Sequence, residues 1–350
     1  MSPKIFNFGA GPATLPLAIL EAVQAELLDW QGSGLSILEV GHRTRPFMAL
    51  MEEAEALLRE LLNIPVHYRV LFLGSPARLQ FSMIPMNLLA KDDEAAYLCS
   101  GTWSSLAYDE AKKVARAYAI SRDFKRQDLH DKTTYVYYTP NETIEGIQLG
   151  LPDVGSHCLV ADMTSCLLSE PIDVAQYGLI FAGAQKNIGP AGLTFVILRE
   201  DILKQVNPAI PTLLDYRVHI NARSLYATPP TFQCYFALKM FQWIKAQGGL
   251  QALQVLNAEK SKRLYAYIDS SPFYHCAVQP HERSKMNVCF SLVDRAREEE
   301  FLLKAEQQGL YALRGHRLVG GVRASLYNAM PMEGVVALIH YMDAFAAGKL

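Results

Sequence analysis

Apolar residues recur at spacings of three and four in two stretches near the start of the chain. Leu17, Leu20, Val23, Leu27 and Trp30 form one set, with Pro16 where a helix start tolerates it and Gly32 and Gly34 closing it. Phe47, Leu50, Met51, Ala54, Leu57, Leu58 and Leu61 form the other and predict a helix from about Pro46 to Leu62. The period then changes. Arg69 to Leu73 is a short apolar run stopped by Gly74, which predicts a buried strand. Similar runs follow at Ala95–Cys99, Tyr135–Tyr138, Cys158–Ala161, Leu179–Ala182 and Leu193–Leu198, and helical patterns separate the first two of the six from each other and the second from the third. This rhythm predicts an α/β fold whose mostly parallel central sheet carries helices on both faces. A helix from about Phe232 to Ala246, a longer one from about Leu250 to Ile268 and a smaller α+β remainder (Met286–Ser291, Arg297–Gln308, Val335–Phe345) complete the pattern.

The 350 residues are 50% hydrophobic, enough for one large or two ordinary domains without disulfides or metals. No repeat, low-complexity tract or linker-like stretch interrupts them, so the two parts should pack together. Lys plus Arg is 33 and Asp plus Glu is 35, a net charge of −2, which argues against a globally basic nucleic-acid binder and leaves a local anion site open. The six cysteines lie far apart without a C-x-x-C pair and read as buried small hydrophobes. The start of the chain makes a poor secretory signal, because Asn7, Pro12 and Pro16 break its apolar stretch. No apolar run reaches a membrane span. The expectation is a soluble, cytoplasmic protein with no metal, membrane or nucleic-acid partner.

Ligands of open α/β sheets bind at the carboxyl ends of the strands, so candidate chemistry is sought there. Lys186 lies in a Gly/Ala-rich loop between two apolar runs, Leu179-Ile-Phe-Ala-Gly-Ala-Gln-Lys186-Asn-Ile-Gly-Pro-Ala-Gly192. Most lysines are solvated surface charges; small apolar neighbours instead suit a desolvated, nucleophilic amine that condenses with aldehydes. Asp162 ends another run, either as a turn former or as the partner of a cofactor's pyridinium nitrogen. Trp103 follows a third, as core or as a flat wall for an aromatic cofactor. Gly74-Ser-Pro-Ala77-Arg78 joins a strand to a helix start, where free N–H groups can hold phosphate. There is no G-x-x-x-x-G-K-[ST] sequence, and Gly9-Ala-Gly11 follows no strand, which disfavours nucleotide loops. Jointly the four describe a pyridoxal phosphate site.

Here the chain resembles the phosphoserine aminotransferases, class V aminotransferases with the aspartate-aminotransferase fold (fold type I). The matching blocks run in order along nearly the whole sequence: Ile5-Phe-Asn-Phe8 with Gly11-Pro-Ala13, Glu39-Val-Gly-His42-Arg43, Pro140-Asn-Glu-Thr143-Ile-Glu-Gly146, Gly183-Ala-Gln-Lys186, Thr228-Pro-Pro-Thr231, and Gly315-His316-Arg317 through Arg323-Ala-Ser325 to Tyr327-Asn-Ala-Met-Pro331. The resemblance implies pyridoxal 5'-phosphate, one per subunit and covalent to Lys186, with Asp162 on its ring nitrogen and Trp103 stacked on the ring. Ala77 and Arg78 match the phosphate-holding pair, Thr143 and Gln185 further cofactor contacts, and Thr228 one from the neighbouring subunit of a homodimer. Arg43 and Arg323, with His42, His316 and Arg317 beside them, match substrate-anion residues; read from the residues alone, His316-Arg317 is an exposed basic turn.

The implied reaction moves the amino group of L-glutamate to 3-phosphohydroxypyruvate, giving O-phospho-L-serine for serine synthesis, with 4-phosphohydroxythreonine formation in vitamin B6 synthesis beside it. It also implies a large cofactor-binding unit over residues 14–248 and a small unit over 249–350, joined by residues 1–13. The chain departs from the family at Ser75-Pro76-Ala77, where a glycine-rich turn is usual, at Ala10 for a serine, at Ala227 for an asparagine, and in a shorter Ala119–Thr134 segment. Two alternatives stand beside this reading. One is a cysteine desulfurase-like lyase, which wants a cysteine on a loop near the site. The other is a weakly catalytic relative that only binds phosphorylated ligands.

Overall fold

The structure is a computed structural model and describes residues 5–203 and 209–350; residues 1–4 of the expected joining segment lie outside it. Seven strands form the central sheet: β1 (Tyr68–Leu73), β2 (Glu94–Leu98), β3 (Arg116–Ile120), β4 (Thr133–Tyr138), β5 (Cys158–Asp162), β6 (Leu179–Gly183) and β7 (Thr194–Arg199). Their order is β1-β7-β6-β5-β4-β2-β3. All are parallel except β7, which runs antiparallel between β1 and β6.

Alternation along each strand sends side chains to two cores. Val70, Phe72, Val136, Tyr138, Ile180 and Phe195 meet the helices α2 (Arg45–Leu62) and α6 (Thr231–Ala246) on one face. Leu71, Leu73, Tyr135, Tyr137, Phe181 and Val196 meet α3 (Gln80–Leu88), α4 (Thr102–Val114) and Tyr216 of the short α5 (Tyr216–Asn221) on the other. The predicted two-faced, mostly parallel sheet is the observed one.

Three expectations are corrected. The strand β3 breaks the single helical connection expected between β2 and β4; its Arg116-Ala-Tyr-Ala-Ile sequence sits half-exposed at the sheet edge, where an apolar run is not required. The helix α1 (Leu17–Glu26) buries Ile19 and Val23, while Leu17 and Leu20 from the expected apolar stripe point outward and Trp30 is buried in a separate helical turn. Of the six cysteines only Cys234 is fully buried; the other five are half-buried.

A second core gathers Phe290, Phe301, Leu338, Tyr341 and Phe345 around the three-stranded sheet β8 (Tyr274–His275), β9 (Asn287–Leu292) and β10 (Val322–Ser325), packed by α7 (Gly249–Ser270), α8 (Glu298–Gln307) and α9 (Met332–Ala346). Phe6 and Phe8 join this core, because Phe6–Asn7 pairs in parallel with Leu310–Tyr311. The helix α7 spans both cores: Leu250 and Leu253 pack with the larger, Leu264 and Ile268 with the smaller. Among the described residues no helix is long and apolar enough to cross a membrane.

Candidate active site

The segments that follow the carboxyl ends of β1, β2, β4, β5 and β6 converge on one cavity of about 550 Å³. Its wall contains Ala77, Arg78, Trp103, Thr143, Asp162, Gln185 and Lys186. Seven side chains singled out from sequence, spread over 110 positions, therefore share one space. That volume lies within the range of small-molecule and cofactor sites.

Lys186 owes its place to the reversed strand. Thr194 of β7 pairs with Gly183 of β6, so residues 184–193 form a turn between hydrogen-bonded neighbours. Ala184 N–H donates to Leu193 O at 2.9 Å, and the N–H groups of Ile188 and Gly189 both return to Ala184 O. The lysine is buried, and its Nζ donates to Thr143 Oγ1 at 2.7 Å. Burial, opposed by the Asp162 carboxylate and reinforced by the Arg323 charge, pushes its pKa down to about 8. The bland surface reading of this lysine is excluded.

Asp162 is the last residue of β5 and accepts the Thr164 N–H at 2.9 Å, so it is a turn former as well as a cavity residue. Burial pushes its carboxyl pKa up, against the Thr164 hydrogen bonds and the Lys186 charge. Trp103 lies in the first turn of α4, and its ring centroid lies 5.9 Å from Lys186 Nζ and 4.8 Å from the Arg78 guanidinium carbon. At the far end Pro76 is extended and leads into the helical turn Ala77–Leu79, while Thr194 Oγ1 holds the turn by donating to Ser75 O at 2.8 Å. The N–H groups of Ala77 and Arg78 have no acceptor among the described residues. Pro76 removes a third donor.

Sequence reasoning passed over Glu142. Its buried carboxylate accepts the N–H groups of Trp103 and Ser104, both at 3.0 Å, and Glu145 accepts that of Thr102 at 2.9 Å. The first turn of α4 is thus capped by a loop some forty residues away. Burial pushes Glu142 up to about 7. A Cβ at Gly101 would stand 2.6 Å from Glu142 Cδ, which explains the glycine. Glu142 lies in the Pro140–Gly146 motif, but no local rule joins it to a distant helix.

Five expected residues lie outside the cavity wall of this chain: His42, Arg43, Thr228, His316 and Arg317. Arg43, Thr228 and Arg317 are exposed, and the two histidines are half-buried. Arg323, on β10, is also outside the wall, yet its charge reaches the Lys186 amine. Its Nε is buried without a hydrogen-bond partner among the described residues.

The family pattern of class-V aminotransferases matches residues 5–338. The chain belongs to the class-V aminotransferases. It is similar, at 56% identity over 99% of each chain, to the phosphoserine aminotransferase of Legionella pneumophila (strain Corby). Among solved structures it is similar to the phosphoserine aminotransferase of Bacillus circulans subsp. alkalophilus (43% identity, TM-score 0.95, 99% of each chain). A pyridoxal phosphate-bound phosphoserine aminotransferase from Trichomonas vaginalis is 40% identical with a TM-score of 0.93, over 97% of this chain and all of that one. Within class V, the fold is the expected fold type I. The cavity fits pyridoxal phosphate on its own terms: an indole wall for the ring, a buried carboxylate suited to a ring cation, a lysine amine for the aldehyde, and unpaired N–H groups beside Arg78 for the phosphate. The lyase alternative fares worse. Cys166, the cysteine whose charge is felt by Lys186, is outside the cavity wall, and burial pushes its thiol far above the range of a nucleophile.

Proposed function

We propose that this class-V aminotransferase catalyses reversible transfer of the amino group of L-glutamate to 3-phosphohydroxypyruvate, giving O-phospho-L-serine and 2-oxoglutarate in two half-reactions. The chain is a pyridoxal phosphate-dependent transaminase of serine biosynthesis. The observation that carries the assignment is the buried Lys186 amine in a cavity wall it shares with Asp162 and Trp103, in a chain 56% identical to a phosphoserine aminotransferase.

Bound pyridoxal phosphate supplies an aldehyde for imine exchange and a ring that withdraws electrons when its nitrogen is protonated. The residues of this chain do the rest. Lys186 holds the cofactor covalently and, once freed, moves the proton at the substrate Cα; an amine with a pKa near 8 gives and takes protons readily at neutral pH. Asp162 holds the proton on the ring nitrogen. Trp103 and the turn carrying Ala77 and Arg78 fix ring and phosphate, with Thr143 and Gln185 lining the same wall. Arg323 takes the α-carboxylate common to both substrates, in a bidentate fork that orients the Cα–H bond. His42, Arg43, His316 and Arg317 serve the far-end phosphate or γ-carboxylate.

The working unit is a homodimer with Thr228 reaching the neighbour's cofactor. Support comes from the exposed apolar Leu17, Leu20, Leu28, Leu35 and Leu38, which leave the N-terminal region ready to be covered by a second copy. We assign residues 14–248 and 249–350 as the two units. We place the enzyme in the cytoplasm, a reading supported by six widely spaced cysteines without a C-x-x-C pair. Use of the vitamin B6 branch substrate belongs to the same proposal, since it adds one carbon to the same chemistry. The deciding assay couples 3-phosphohydroxypyruvate and glutamate consumption to 2-oxoglutarate detection. Turnover with glyoxylate but not with the phosphorylated keto acid would overturn the substrate assignment.

A further inference from the structure

Lys260 is a buried amine that the reaction does not use, and burial pushes its pKa down to about 7. It lies in the middle of α7 with no exposed surface, and no carboxylate neutralises it among the described residues. Its Nζ donates instead to three converging carbonyls, Leu326 O at 2.9 Å, Tyr327 O at 2.8 Å and Met330 O at 3.0 Å. An ammonium has three N–H donors, so the match is complete; an uncharged amine would leave one carbonyl unserved.

The caged turn touches the segments that carry Arg323, Lys186 and Asp162. It continues directly from β10, the strand of Arg323. Asn328, inside the turn, donates its N–H to Asn187 Oδ1 at 3.0 Å, and Asn187 adjoins Lys186. The Asn328 amide also donates to Leu168 O at 2.8 Å, in the segment that follows Asp162. One turn before Lys260 on α7, Asn257 donates to Ser169 O and to Asn328 Oδ1.

We infer that Lys260 is a positioning residue whose ammonium acts as a tethered monovalent cation, holding the turn 326–330 so that Arg323 stands in register with Lys186 and Asp162. The inference rests on the site reading above. The geometry favours it over simple core filling, since an apolar side chain of equal volume would pack but leave Leu326 O and Met330 O without a donor among the described residues and Tyr327 O with the Met330 N–H alone.

The test compares Lys260→Met and Lys260→Ala as cofactor-loaded enzymes. Lys260→Met keeps the volume and loses the charge. It should retain the bound cofactor's visible absorbance while both half-reactions slow by about 10–100-fold, equally, because Arg323 serves the carboxylate that both substrates share. Lys260→Ala leaves space for the missing segment, so propylammonium should restore part of its single-turnover rate and have no such effect on Lys260→Met or the wild type. A purely structural role would lower thermal stability without that selective rescue. Wild-type half-reaction rates in Lys260→Met would overturn the inference. If Lys260→Met does not fold, Lys260→Ala prepared and assayed in propylammonium decides alone, and failure to recover rate there counts against it. Lys186→Ala run in parallel separates the two readings: if it stays active the site assignment is wrong, and if it is dead while Lys260→Met is normal only the present inference falls.

Discussion

Lys186 and Thr143, from loops that follow different strands, meet in a 2.7 Å hydrogen bond in which the buried amine donates to the hydroxyl. The neighbour of Thr143, Glu142, holds the first turn of α4 and with it Trp103. Two adjacent residues therefore fix the amine on one side and the aromatic wall on the other.

The lowered pKa of Lys186 sets how cofactor uptake depends on pH. Only the neutral amine attacks an aldehyde, and with a pKa near 8 about a tenth of it is neutral at pH 7. The second-order rate of pyridoxal phosphate uptake by cofactor-free protein should rise about tenfold per pH unit below pH 7, bend near pH 8 and be level by about pH 9. An uptake rate still climbing at pH 10 would mean an ordinary, unperturbed lysine.

Replacing Lys186 by alanine removes both the covalent link and the group that moves the Cα proton. Turnover should fall by at least about 10³-fold, the lower end of what loss of a nucleophile and its acid–base function together produces. Steady-state transamination without added amine is the measurement.

Asp162→Asn keeps the shape of the turn but cannot hold a proton on the ring nitrogen. A loss of about 10²-fold or more in each half-reaction is expected, comparable to removing one preorganised electrostatic contact. Near-wild-type rates in stopped-flow traces would place the ring elsewhere in the cavity.

Substrate discrimination should divide between two sets of cations. Arg323→Ala is expected to damage both half-reactions. Neutralising His316 and Arg317 together should harm phosphoserine more than glutamate, because a charge-assisted hydrogen bond is worth about 1.5–3 kcal/mol and phosphate carries the extra charge. Equal losses for the two amino donors in single-turnover kinetics would move the phosphate pocket.

The outward-facing leucines of the N-terminal region predict association. Sedimentation should give twice the 39.0 kDa chain mass. Thr228→Ala should weaken cofactor retention by about fivefold or more, the worth of one hydrogen bond. An active monomer would remove the shared-site proposal.

What the sequence made legible was decided by locality. The six strands read from apolar runs are all present, and Ala77, Trp103, Asp162 and Lys186 stand where a strand ends and a small-residue turn begins. Polar side chains acting across long separations were not legible. Glu142 caps a helix forty residues upstream, and Lys260 serves carbonyls more than sixty residues downstream; neither leaves a periodic or spacing signal. The outward Leu17 and Leu20 were misread for a related reason, since helical spacing reports an apolar stripe and not what will cover it.

The return of β7 between β6 and β1 has a bearing on how the molecule comes apart. The Lys186 turn is stitched at both ends into strands that each have neighbours on both sides and are buried along their length except at Arg199. Such a turn cannot fray by itself; opening it means parting the middle of the sheet, the event of highest free energy in a domain. The reactive amine therefore belongs to the most slowly exchanging part of the chain, and bleaching of the bound chromophore on heating should report global melting, with no earlier loosening of the site.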